Sequence, residues 1–215
     1  MNIGVLGTGV VGQTIGEKLV TLGHAVKLGS RASGNEKANA WVQKVGAKGS
    51  AGTFAETAAF GEVVFNCTAG AGSLDALAAT GTALAGKLLI DVTVPLDFSK
   101  GMPPTLFSGN TDSLGEGAQR LLPETKVVKA LNTVNCQVMV DPARVGGGEH
   151  DLFIAGNDAA AKATVSEYLR SWFGWKSIID LGDITAARGT ESYLPLWLRL
   201  WGATKTADFN IRVVR

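Results

Sequence analysis

Apolar residues along the chain fall into short blocks that alternate between two periods. Ile3 to Leu6 is a short apolar run, the mark of a strand buried on both faces. Val11, Ile15, Leu19 and Leu22 then recur at helical spacing, and Gly23 stops that helix. Ala25 to Leu28 is the next strand. Ala38, Trp41, Val42 and Val45 make a second helical stripe, closed by Gly46. Phe54 to Phe60 predicts a short helix, Val63 to Cys67 a buried strand, Leu74 to Leu84 a helix, and Leu88 to Val92 a strand. Ser113, with Glu116 three residues on, opens a helix in the capping-box spacing. Val127 to Leu131 and Leu152 to Ala155 are strands, Asp158 to Phe173 a helix, and Ile178 to Leu181 a last strand. Strands alternating with helices predict an α/β fold, with a Rossmann-like, doubly wound, mostly parallel sheet covered on both faces.

Two stretches break the pattern. Val94 to Asn110 carries Pro95, Pro103 and Pro104, and Asp141 to His150 carries Pro142 and three consecutive glycines. Both are loops, and neither is long enough for a free interdomain linker. Four of the five tryptophans lie near the end, at Trp172, Trp175, Trp197 and Trp201. Leu194, Trp197, Leu198 and Trp201 form a helical stripe, with Leu196 and Leu200 beside it. A helix this apolar around its girth belongs in a core, a subunit interface or a ligand pocket.

Composition narrows the function. Of 215 residues, 46% are hydrophobic and 18% charged, which excludes disorder over most of the length. Twenty basic and 19 acidic side chains leave a net charge of +1, and no basic cluster marks a nucleic-acid partner. No apolar run reaches the roughly 20 residues that span a bilayer, so no membrane role is expected. Two separated cysteines and two histidines rule against a zinc site and fit a reducing, cytoplasmic setting.

The candidate chemistry begins in the first loop. Gly7-Thr8-Gly9-Val10-Val11-Gly12 matches G-x-G-x-x-G between a strand and a helix. The first glycine makes the tight turn, the second admits a pyrophosphate, and the third lets helix pack on strand. The helix N-terminus offers free N–H groups to the phosphates. The end of the second strand then selects the cofactor. An acid there binds the ribose 2′-hydroxyl of NAD. This chain reads Leu28-Gly29-Ser30-Arg31, with no acid between Glu17 and Glu36. Ser30 and Arg31 suit a 2′-phosphate, with Ser33 and Lys37 as secondary contacts, so NADP(H) is expected.

An alcohol dehydrogenase needs a placed His, Lys or Tyr. The supply here is thin: His24 reads as a turn residue, Tyr168 as core, and Lys129 is ambiguous. Hydride transfer between two redox heterocycles needs little side-chain acid–base chemistry, and Trp and Leu walls suit flat rings.

Gly7-Thr8-Gly9, Gly29-Ser30-Arg31, Val128-Lys129-Ala130-Leu131-Asn132-Thr133 and Leu194-Pro195-Leu196-Trp197 together resemble the coenzyme F420-dependent NADP oxidoreductase family. The reductase domain of the STEAP metalloreductases is similar. The resemblance runs through Phe209-Asn210-Ile211. It implies an NADP-binding Rossmann domain over 1–135 with a small C-terminal part over 136–215 packed on it, the two also readable as one domain. It implies a homodimer and hydride exchange between NADPH and a deazaflavin. By position, Thr8, Ser30 and Arg31 would hold the 2′-phosphate. Thr68, Ala69 and Gly70 would face the cofactor, and Asn132 and Thr133 would lie near the nicotinamide. Cys136, Pro195 and Trp197 are the candidates for the acceptor's pocket. Two other readings stay open. One is a reductase of a small carbonyl, imine or ferric substrate, for which Lys129 is the lysine at hand. The other is a non-catalytic NADP(H)-binding redox sensor.

Overall fold

β1 (Asn2–Leu6) forms from the first apolar run and lies inside the sheet, between the strands that follow it on either side. The computed structural model describes residues 1–215. After β1 come α1 (Val10–Thr21), β2 (Ala25–Ser30), α2 (Glu36–Val45), β3 (Gly49–Thr53), α3 (Phe54–Phe60) and β4 (Val63–Asn66). Then follow α4 (Ser73–Ala78), β5 (Leu88–Asp91), a small hairpin of β6 (Leu96–Asp97) and β7 (Thr105–Leu106), α5 (Leu114–Leu121) and β8 (Lys126–Ala130). The last part holds α6 (Cys136–Val140), β9 (Asp151–Gly156), α7 (Ala159–Tyr168), β10 (Ser177–Asp180), α8 (Ala187–Ser192) and α9 (Leu194–Thr204).

Eight strands make one sheet in the order β10-β9-β8-β5-β4-β1-β2-β3. All neighbours are parallel except β8 and β9, which pair antiparallel. The sheet therefore runs unbroken across residue 135, and the later residues add its two outer strands on one side. Strand order reverses at β1, which pairs with β2 on one side and β4 on the other. The crevice at the carboxyl ends of β1 and β4 is where such sheets bind ligands. Alternate residues feed two cores: Val63 and Phe65 pack in one, Val64 in the other.

Helix ends follow local chemistry. Asn35 caps α2 by accepting from the Ala38 N–H at 3.0 Å, and Thr53 with Glu56 closes a reciprocal capping box on α3. Ser113 caps α5 through the N–H of Glu116, as its spacing predicts. Asp158 caps α7, whose last turn widens over Leu169–Phe173 and stops at Gly174, with φ +87°.

Three expectations change. β3, with the sequence Gly-Ser-Ala-Gly-Thr, has no apolar pattern; it forms by pairing along β2 from Gly49 to Thr53. The helix expected over Leu74 to Leu84 ends at Ala78 in a series of turns, where the Thr80 hydroxyl donates to the Leu77 carbonyl. The C-terminal helix is not in a core. Within one chain only Leu194 of α9 is buried, while Leu196 is 56% and Trp201 42% exposed. No element packs over its outer face. No helix is long and apolar enough to cross a membrane.

Candidate functional site

A groove of about 870 Å³ opens at the carboxyl ends of β1, β2 and β4. Gly7, Thr8 and Gly9 form one wall, Gly29, Ser30 and Arg31 the next, and Cys67, Thr68 and Ala69 the third. Gly7 turns the chain out of β1 with φ +112°, and its N–H donates to the Gly29 carbonyl at 2.9 Å. A Cβ there would sit 2.6 Å from the Cys67 carbonyl oxygen. Gly9 differs: a Cβ built on it meets nothing within 4 Å, so the space over it is free for a ligand. Gly9 also precedes α1, whose N-terminus has no side-chain cap. Val10 is exposed there and Val11 half-buried, with their N–H groups on the first turn. Gly12 lets α1 close onto the Gly7 carbonyl. The turn thus has the three glycine functions that a dinucleotide requires.

The rim at β2 carries the cation. Arg31 is exposed and makes no ion pair. Ser30 is buried, and its hydroxyl donates to the Ala32 carbonyl at 2.6 Å, fixing the turn that presents Arg31. Gly29 allows close approach of α3, since a Cβ would lie 2.9 Å from the Thr57 hydroxyl oxygen. Lys37, on the first turn of α2, is exposed and stands outside the groove lining; Asn35 beside it lines the groove. Gly70 turns away from the groove, against the Val94 carbonyl. Sequence reasoning missed the far wall, which is Phe54 of α3 with Asp75, Ala76 and Ala79 on and after α4. These residues carry no motif, and only the tertiary fold brings them to the site.

Asn132 and Thr133 stand at the carboxyl end of β8, after Leu131, which turns the chain with φ +65°. They are 4% and 2% exposed. Both ends of the Asn132 carboxamide and the Thr133 hydroxyl are buried without a hydrogen-bond partner. Buried polar atoms in this state are costly unless a ligand or water satisfies them. The next helix, α6, packs against α1, which carries the loop toward the glycine turn.

Cys136, Pro195 and Trp197 lie outside the groove lining. Cys136 opens α6 behind its cap Asn135, whose amide donates to the Ala207 carbonyl in the C-terminal tail. Trp197 stacks on Phe209 of that tail at 5.2 Å, and its indole N–H has no partner. The tail therefore ties α9 to the loop after β8.

Lys129 is fully buried and fully used. Its ammonium donates to Asp91 Oδ2 at 2.8 Å and the Thr93 carbonyl at 2.6 Å, and meets Glu191 Oε1 at 2.7 Å. Burial alone would pull its pKa down; the carboxylates of Asp91 and Glu191 outweigh that and hold it above the usual lysine value. A lysine so placed offers no proton to a substrate in the groove. His150 is equally engaged, between the Pro142 carbonyl and the Asn210 amide. His24 packs against Trp172 at 5.0 Å, and Tyr168 stacks on the same ring at 4.1 Å.

Comparison with known proteins agrees with this geometry. A family model described as coenzyme F420-dependent NADP oxidoreductase matches residues 2–95. The chain is 31% identical over 224 residues to the F420-dependent NADP reductase of Methanothermobacter marburgensis, covering 99% of this chain and 98% of that one. A crystal structure from Arthrobacter sp. FB24, provisionally assigned as an F420-dependent NADP-reductase, is 52% identical over the whole of both chains, with a TM-score of 0.95. The metalloreductase STEAP3 of Rattus norvegicus is 29% identical over 199 residues, which are 91% of this chain and 37% of that longer protein.

Proposed function

The chain belongs to the coenzyme F420-dependent NADP oxidoreductase family and is an NADP-dependent oxidoreductase, and we propose that its acceptor is a deazaflavin such as coenzyme F420 or a related flavin-like ring. The observation that carries the NADP(H) part is Arg31, unpaired at the β2 rim of a groove whose Gly9 wall is open, and the deazaflavin rests on the relatives' family. A 2′-phosphate suits that position, and a carboxylate there would repel it.

In this reading Gly7, Gly9, Val10, Val11 and Gly12 cradle the pyrophosphate, and Thr8 and Arg31 hold the 2′-phosphate, with Ser30 fixing the turn that presents Arg31 and Lys37 a secondary contact. Thr68 and Ala69 border the second half of the cofactor, with Gly70 behind them against Val94. Asn132 and Thr133 supply the amide and hydroxyl that the nicotinamide carboxamide satisfies; their orphaned polar atoms support that role. The bound dinucleotide supplies a hydride donor at the nicotinamide ring. The chain's own part is to bind, orient and keep water out, which needs no side-chain acid. Cys136, Pro195 and Trp197 border the acceptor. The carbonyl and imine reading asks Lys129 for a proton, and its hydrogen bonds are already spent.

The exposed α9 face supports a homodimer. Beside it a groove of about 390 Å³ is lined by Met102, Pro103, Leu198 and Trp201. A second copy laid there would cover both.

The test is NADPH oxidation followed by absorbance, with F420, FMN, riboflavin and a ferric chelate as parallel acceptors and NADH as control donor. The reading predicts turnover of F420 with NADPH and little with NADH. Tight NADPH binding with F420 inert and another acceptor reduced would overturn the deazaflavin.

A further inference from the structure

A continuous buried polar chain runs beneath the carboxyl ends of β4, β5 and β8. Thr68, on the groove wall, donates its hydroxyl to Asn66 Oδ1 at 2.8 Å. Asn66 donates from Nδ2 to Asp91 Oδ1 at 3.0 Å. Asp91 pairs with Lys129 across the β5–β8 register, and Lys129 pairs with Glu191 of α8. The three charged side chains are completely removed from solvent. Formally, one ammonium faces two carboxylates.

Each carboxylate has its own support. Asp91 accepts from the Thr93 hydroxyl at 2.9 Å as well as from Asn66. Glu191 accepts from the N–H groups of Leu114 and Gly115 at 2.9 and 3.1 Å, the first turn of α5. Cations at the groove rim do not cancel this excess, because Arg31 is on the opposite half of the sheet, at β2. Salt screens buried charge far less than surface charge. Burial first, and then the charge of Asp91, push the thiol of groove-lining Cys67 up.

We propose that Asp91, Lys129 and Glu191 act as positioning residues that set the redox poise of the cofactor, their excess negative charge favouring the cationic ring of NADP⁺ over the neutral ring of NADPH. The inference rests on the functional reading that places the nicotinamide half over β4, β5 and β8. It makes bound NADPH a stronger hydride donor than free NADPH. Pyrophosphate and 2′-phosphate contacts are common to both forms, so the ratio of the two affinities isolates the ring.

The experiment measures dissociation constants of NADP⁺, NADPH and 2′,5′-ADP for the wild-type chain, Glu191→Gln and Asp91→Asn. Either variant removes one negative charge. The expected result is a ratio Kd(NADP⁺)/Kd(NADPH) raised roughly tenfold, which is what a unit charge contributes at about 12 Å in an effective dielectric near 20. That shift corresponds to about 30 mV in the two-electron potential of the bound cofactor. Binding of 2′,5′-ADP, which has no nicotinamide, stays unchanged. A purely structural role weakens NADP⁺ and NADPH together; an unmoved ratio in a folded variant overturns the proposal. The wild-type chain alone also decides. It should bind NADP⁺ at least as tightly as NADPH, and tighter binding of NADPH overturns the proposal even if neither variant folds. Failure of the functional reading looks different: the wild-type chain then binds 2′,5′-ADP and both NADP forms no better than their non-phosphorylated counterparts, which removes the inference with it.

Discussion

The ammonium of Lys129 lies 2.7 Å from Oε1 of Glu191, with both side chains completely buried. This contact joins the sheet at β8 to α8, the helix that leads into the aromatic segment. The same carboxylate caps α5 through the Leu114 and Gly115 N–H groups. One residue therefore holds together β8, the first turn of α5 and α8, the helix that leads into α9.

Replacing Lys129→Met should be strongly destabilising. It strands Asp91 and Glu191 without their shared cation in the interior. Breaking a buried pair in this way costs about 3–5 kcal/mol. Urea unfolding followed by circular dichroism checks it. A midpoint within experimental error of the wild type would show that the pair adds nothing to stability.

Arg31→Ala should weaken NADPH far more than NADH. A charge-assisted contact to a phosphate is worth about 1.5–3 kcal/mol, or roughly 10- to 150-fold in affinity. Fold stability should hold, because Arg31 is exposed and touches no carboxylate. Titration calorimetry with both cofactors measures the difference. Equal losses for NADPH and NADH would contradict the 2′-phosphate assignment.

The chain should be a dimer held partly by α9. Leu196 and Trp201 are exposed on one chain, and Phe98, Met102 and Phe107 of the neighbouring loop are exposed too. Trp201→Glu should shift sedimentation equilibrium toward monomer at micromolar concentration while leaving the circular dichroism spectrum unchanged. A wild-type chain that sediments as a monomer would count against the interface.

The nucleotide half of the fold was legible because its signals are local. Ile3 to Leu6, the three glycines and the stripe through Leu19 specify strand, turn and helix within some twenty residues. Arg31 was legible because the missing acid can be read beside it. β3 was not: Gly49 to Thr53 pairs through its backbone, and its side chains carry no period. Lys129 is ambiguous in the sequence, since its partners are distant in the chain: Asp91 on the neighbouring strand β5 and Glu191 on helix α8. Asn132 and Thr133 were placed by family resemblance alone; what the structure adds is their buried, unpartnered state. The far wall around Asp75 and Ala76 has no sequence signature, because only the tertiary fold brings it to the site.

The most direct test of the central claim follows the hydride itself. NADPH carrying deuterium at C4, prepared in each of its two diastereomeric forms, is mixed with the enzyme and F420 in ordinary water. A deazaflavin has carbon where a flavin has a reactive nitrogen, so a transferred deuterium stays in a stable C–D bond. The account predicts that mass spectrometry finds deuterium in the reduced deazaflavin from one diastereomer and hydrogen from the other. Reduced product free of deuterium from both forms, or no reduction although NADPH binds, would contradict direct transfer from a nucleotide held in this groove.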